Sequence, residues 1–138
     1  VNLDWYKAFD RVPIEFTLKA LYSLGFGECF VHWLSILYKD IESTVQINNV
    51  LGDFFPVTRS VRQGCPLSMG LFIVYQEPFY RALVKSRIIR PLQMPDATET
   101  KLLGYADDTN IVITNEDSLL EINNIVSQYE QATGAILN

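Results

Sequence analysis

Residues 102–114, LLGYADDTNIVIT, constrain the fold more than any other stretch, because two apolar runs flank a pair of adjacent carboxylates, Asp107 and Asp108. Leu102, Leu103, Tyr105 and Ala106 lead in, and Ile111, Val112 and Ile113 lead out, so the pattern predicts two β-strands that reverse near the acidic pair. Asp is a good turn former, which is reason enough for a carboxylate at such a tip. Asp4 supplies a second reason. In NLDW it lies between Leu3 and Trp5, and an Asp in a core strand is costly unless it is paired or bound to a metal. Carboxylates from different strands meeting at one sheet edge form a hard-oxygen site of the kind that holds a pair of Mg²⁺ ions together with substrate phosphates.

The remaining elements follow from periodicity. VNLDW (1–5) predicts a short strand. Pro13 suits the first turn of a helix whose face carries Ile14, Leu18, Leu21 and Tyr22, with a stop at GFG, 25–27. A second helix is expected to bury Phe30, Trp33, Leu34, Leu37 and Tyr38 as a stripe. Residues 42–58 predict a hairpin turning around Asn48, Asn49 and Gly52. RQGCPLS (62–68) reads as a loop, because Gly64 and Pro66 are incompatible with a regular interior. It leads into a helix from about Ser68, with Met69, Phe72, Ile73, Tyr80 and Leu83 on its apolar side and a bend at Pro78. Residues 88–100, with two prolines, read as a surface loop. SLLE (118–121) predicts a capping box with Ser118 as N-cap, opening a helix that runs to about Thr133 and stops at Gly134; AILN then starts a further element. The expected fold is α+β, with helices packed on one face of a small antiparallel sheet.

At 138 residues the chain has the length of about one domain. Its 49% hydrophobic and 20% charged content calls for a packed core. No apolar run approaches the roughly 20 residues needed to cross a bilayer, so no membrane partner is expected. Cys29 and Cys65 show no ligand spacing, which fits a reducing compartment. His32 reads as a structural residue, and no nucleophile triad is present. The net charge of −5 is unevenly spread: residues 59–90 hold 6 basic and 1 acidic group, whereas residues 91–138 hold 1 and 8. A centre that binds polyanions through metal ions is acidic, because the ions bring the positive charge.

DWYKAFDRV (4–12), RQGCPLS (62–68) and YADDT (105–109), in that order, resemble the palm motifs of reverse transcriptases of non-LTR, LINE-like retrotransposons. QEP (76–78) and ATGAILN (132–138) extend the resemblance over nearly the whole chain. It implies a polymerase palm with a ferredoxin-like core, occupying residues 1–138, and an RNA-directed DNA polymerase that joins a dNTP to a primer 3′-hydroxyl with two Mg²⁺ ions, or Mn²⁺. Asp4 and Asp107 are then the principal ligands of both ions, Asp108 is the third catalytic carboxylate, and the backbone carbonyl of Trp5 is an added ligand. Phe9 lies under the sugar of the incoming nucleotide, where a ring collides with a 2′-hydroxyl. The backbone around Lys7 and Ala8 approaches the triphosphate. Gln63 and Gly64 line the nucleotide pocket, and Arg62 assists with phosphate. Asp10 is read instead as a helix-start cap before Pro13, and Cys65 as a small residue of the loop.

The implied partners are an RNA template, a DNA primer or target DNA, and dNTPs, with action in the nucleus. Both ends of the sequence look abrupt, and the resemblance places fingers, thumb and a Lys after the closing segment outside it, so the isolated piece is expected to polymerise little. Met69 departs from the proline of many relatives. Three alternatives stand beside this reading: a catalytically dead remnant, an RNA-binding α+β domain, and another two-metal nuclease or polymerase. Surviving carboxylates oppose the first, the lack of exposed aromatics with basic neighbours in the acidic strands opposes the second, and Phe9 with the 62–68 loop opposes the third.

Overall fold

The computed structural model describes residues 1–62, 64–95 and 97–138. Its central sheet has three strands in the order β1 (Asn2–Leu3), β9 (Asp108–Ile111), β8 (Leu102–Tyr105), all antiparallel. The closing segment adds to the free edge of β1: Trp5 bridges Leu137, the Tyr6 N–H donates to the Ile136 carbonyl at 2.8 Å, and the Asn138 N–H donates to that of Asp4 at 3.0 Å. Three two-stranded ladders surround this sheet. They pair β2 (Glu42–Ser43) with β5 (Phe55–Pro56), β3 (Gln46–Ile47) with β4 (Val50–Leu51), and β6 (Leu92–Gln93) with β7 (Glu99–Thr100).

Alternation along the strands decides which face is covered. Leu3, Trp5, Thr109 and Ile111 are buried, whereas Asp4, Asp108 and Asn110 between them are exposed. Four helices complete the chain: α1 (Ile14–Ser23), α2 (Glu28–Leu37), α3 (Pro66–Lys85) and α4 (Glu116–Thr133). The buried face of the sheet shares one core with α3 and α4, in which Trp5 meets Phe79 and Tyr129 edge-on at 5.4 and 5.5 Å. The α+β class with helices on one face is therefore present.

Several local expectations are corrected. On α2 the buried residues are Val31 and Leu34, while Phe30, Trp33 and Leu37 are exposed. Tyr22 is likewise exposed on α1. The α3 helix starts at Pro66 and continues through Pro78, burying Leu71, Phe72, Tyr75, Gln76, Phe79 and Leu83 but leaving Met69 and Ile73 outside. Leu92–Gln93 and Glu99–Thr100 pair as the β6–β7 ladder within a stretch expected to be a loop. The N-cap of α4 is Asn115, whose side chain accepts from the Ser118 N–H; Ser118 is buried inside the helix, and Glu121 accepts from the Ser86 hydroxyl instead of closing a box. Pro13 stands at the N-cap of α1 with no side-chain cap, so Asp10 does not perform that role. The 46–51 hairpin turns on Asn48 and Asn49, both in the left-handed region at φ 49° and 64°, while Gly52 follows β4, its N–H donating to the Val45 carbonyl.

Candidate active site

The β8–β9 hairpin closes on a two-residue turn, Ala106–Asp107, between the paired residues Tyr105 and Asp108. Ala106 takes φ 52°, and it alone of the two lies in the left-handed region, as expected for a turn of the II′ kind. Asp107 thus occupies the turn, half-buried, and Asp108 begins the outgoing strand, exposed.

Register then brings in the third carboxylate. Leu3 pairs with Thr109 and Asn2 with Asn110, so the next position, Asp4, comes opposite Asp108 on the open face. Asp4, Asp107 and Asp108 accordingly share one end of the sheet although more than 100 residues separate the first from the others. The Asp4 carboxylate accepts a hydrogen bond from the Asn138 side-chain amide at 2.8 Å. Asn138 was not singled out in the sequence; the only signal for it was that AILN resumes a strand after Gly134. The closing segment pairs through the backbone groups of Asp4 and Tyr6, so the Trp5 carbonyl is not used by it.

None of the three carboxylates has a cationic partner among the described residues. Among the described residues the single ion pair is Arg81–Glu77 at 2.7 Å. Arg11 and Arg59 instead donate to the Gly134 and Thr133 carbonyls at the end of α4, and Lys101 donates to the Val84 and Ser86 carbonyls at the end of α3. Among the described residues no three His, Cys, Asp or Glu side chains converge on one point tightly enough to hold an ion. The donor chemistry nevertheless fits a hard divalent cation, with carboxylates and a spare carbonyl at one exposed edge.

The other expected residues lie along one path. The Val61 N–H donates to the Phe9 carbonyl at 3.0 Å and the Ser60 N–H to that of Val12 at 3.1 Å, which seats the loop of Arg62 and Gly64 beside the 3-10 turn Phe9–Arg11. Phe9 is half-buried and stacks on Phe72 of α3 with ring centres 4.3 Å apart. Lys7 and Ala8 precede it. Lys7 is exposed at φ 48° with its ammonium over the Tyr6 ring, and Ala8 is buried. Gly64 takes φ 84° with open space where a Cβ would stand, so its backbone conformation, more than crowding, calls for glycine. Gln63 falls outside the described residues. Cys65 is the N-cap of α3, its carbonyl accepting from the Ser68 N–H at 3.1 Å, and the nearby Leu67 backbone N–H lowers its thiol pKa from the ordinary value.

An α+β domain with a helix-backed antiparallel sheet presents carboxylates on its open face, the donor type that suits hard cations. The family model described as "Reverse transcriptase (RNA-dependent DNA polymerase)" matches residues 1–138, and the chain belongs to that family. It is also 36% identical, over its whole length, to the transposon TX1 uncharacterized 149 kDa protein of Xenopus laevis, of whose length it spans 10%. A transposon protein among its relatives agrees with the retrotransposon resemblance of the motifs. Among the described residues no helix is long and apolar enough to cross a membrane.

Proposed function

We propose that this chain is the catalytic palm of the RNA-directed DNA polymerase of a non-LTR retrotransposon, working with fingers and thumb of the same polypeptide on an RNA template and a DNA primer. The observation that carries the reading is the β1–β9 register, which delivers Asp4 to the acidic hairpin in a chain of this family. In the reaction the primer 3′-oxygen bonds to the α-phosphorus of a dNTP, the bond to the β-phosphate bridging oxygen breaks, pyrophosphate leaves, and the hydroxyl proton is released. Asp4, Asp107 and Asp108, with the Trp5 carbonyl, would hold two Mg²⁺ ions, or Mn²⁺. When bound, these supply charge neutralisation at the phosphates and acidify the primer hydroxyl.

The chain's own residues orient the substrate. Phe9, fixed by its stack on Phe72, presents a ring edge below the sugar and excludes a 2′-hydroxyl. The backbone at Lys7 and Ala8, with Gly64 and the Arg62 side chain from the neighbouring loop, faces the triphosphate. The protein's part is positioning and charge compensation, with no side-chain nucleophile.

The test is primer extension on an RNA template by the full polypeptide. Asp4→Ala and Asp107→Ala should each lower the rate by about a thousandfold or more, since several kcal/mol of charge stabilisation converts at ~1.4 kcal/mol per decade. Near-normal extension by either variant would remove the assignment.

A further inference from the structure

We infer that Tyr80 is a positioning residue for the acidic hairpin, reaching it through a window left by Gly104. This rests on the reading of the hairpin as catalytic, but the observations are independent of it. Gly104 and Thr109 are register partners, one pair below the Tyr105–Asp108 pair that closes the turn. Leu103 and Tyr105 on either side of Gly104 are exposed on the open face, so Gly104 is on the face turned towards α3. A Cβ at Gly104 would lie 2.7 Å from the Tyr80 hydroxyl oxygen and 2.9 Å from the ring carbon that bears it. Glycine is what admits the end of the ring against the back of the hairpin.

The hydroxyl is bonded on both sides there. It donates to Gln76 Oε1 at 3.3 Å, one helical turn away, and lies 3.0 Å from Thr109 Oγ1, which can donate to it in return. Thr109 and Gln76 are both buried. Burial raises the Tyr80 pKa against the smaller opposing effect of the Thr109 hydrogen bond, so the hydroxyl keeps its proton. A contact made only for packing needs no hydroxyl. A part-buried polar chain from α3 to β9 instead favours one geometry, and it does so beneath Asp107 and Asp108. The same helix starts at the loop of Arg62 and Gly64 and carries Phe72, the partner of Phe9. Tyr80 therefore ties the height of the carboxylates to the element that backs the nucleotide pocket.

The experiment compares Tyr80→Phe, Thr109→Val and the double variant in the full polypeptide, with two measurements: Mn²⁺ affinity from the electron paramagnetic resonance of free Mn²⁺, and hydrogen exchange of the 102–111 amides in metal-free protein. Each single variant should weaken Mn²⁺ binding about fivefold, the loss of one net buried hydrogen bond, and should speed exchange at the hairpin. The double variant should be no worse than either single one, because both remove the same link. Unchanged exchange in Tyr80→Phe, or losses that add in the double variant, overturns the inference. If the unsubstituted protein bound no Mn²⁺ and Asp107→Ala still polymerised, the catalytic reading would fall instead, and the exchange measurement alone would decide whether Tyr80 positions the hairpin.

Discussion

Replacing Gly104 with Ala tests the packing beneath the hairpin in isolation from catalysis. The backbone at Gly104 is outside the left-handed region, so Ala brings no conformational strain; its cost is the methyl group meeting Tyr80 at 2.7, 2.9 and 3.1 Å. The ring end cannot swing away freely, since its hydroxyl is bonded to Thr109 and Gln76. Overpacking of this kind costs about 1–3 kcal/mol, offset by about 0.4–1 kcal/mol from a less flexible unfolded chain. A net loss of roughly 1–2 kcal/mol results. Unfolding entropy of about 2.1 cal/mol/K per residue gives ~0.29 kcal/mol/K for 138 residues, so the midpoint of thermal unfolding should fall by about 3–7 °C. Gly70→Ala is the matched control. It lies in α3 with nothing within 4 Å of its would-be Cβ, and should raise the midpoint by about 2–3 °C, because Ala is favoured over Gly in a helix by roughly 0.5–1 kcal/mol. Melting followed by circular dichroism reads both. A Gly104→Ala protein that melts within ~1 °C of the parent, or rises with the control, refutes the window.

Two other outcomes are expected. Phe9→Ala should raise incorporation of ribonucleotides relative to deoxynucleotides in the full polypeptide; the ratio within one enzyme is the readout, since losing the stack on Phe72 also lowers stability, and an unchanged ratio removes the gate role. Tyr129 donates to the Tyr75 carbonyl at 3.0 Å, and burial followed by the neighbouring Tyr75 raises its pKa far above that of a free tyrosine. The stability this represents is complete below the unfolded pKa of ~10 and is lost as pH rises above it, by up to about 1.4 kcal/mol per unit. Urea unfolding between pH 9 and 11 should show that fall, and Tyr129→Phe should flatten it.

The hairpin was legible in the sequence because strand alternation and turn chemistry agree across LLGYADDTNI, and the Asn48–Asn49 turn because both residues tolerate positive φ. The face of α2 was not, because ECFVHWLSIL is apolar on several sides and a period alone does not say which side meets α1. Met69 and Ile73 misled for the same reason on α3. Ser118 and Asn115 are comparable N-cap candidates three residues apart, and only the fold shows Ser118 buried, with its hydroxyl donating to the Ile88 carbonyl. Gly104 did carry a signal: a glycine inside a strand often marks the close approach of another group. That the group is Tyr80, 24 positions earlier, depends on how α3 crosses the hairpin, which no local pattern contains.

Four of the chain's basic residues are engaged away from the acidic edge. The mid-chain excess of positive charge foreseen from composition is present, yet Arg59 is used at the end of α4 and Arg81 on Glu77, while Arg11 and Lys101 from the flanking regions close the ends of α4 and α3. Like charges about 4 Å apart repel by only ~1 kcal/mol in water, so an edge with Asp4 and Asp108 exposed and Asp107 half-buried can carry three carboxylates at modest cost. The same three in the interior would need counter-charges and would cost several kcal/mol each without them. Exposure on the open face thus lets the chain fold with no cation committed to these carboxylates among the described residues, and the Asn138 amide takes one oxygen of Asp4. Neutralising the site with a lysine from the chain would stabilise the edge slightly and remove the attraction for cations and the phosphates they bring, which is why stability and the proposed activity favour different residues at this one place.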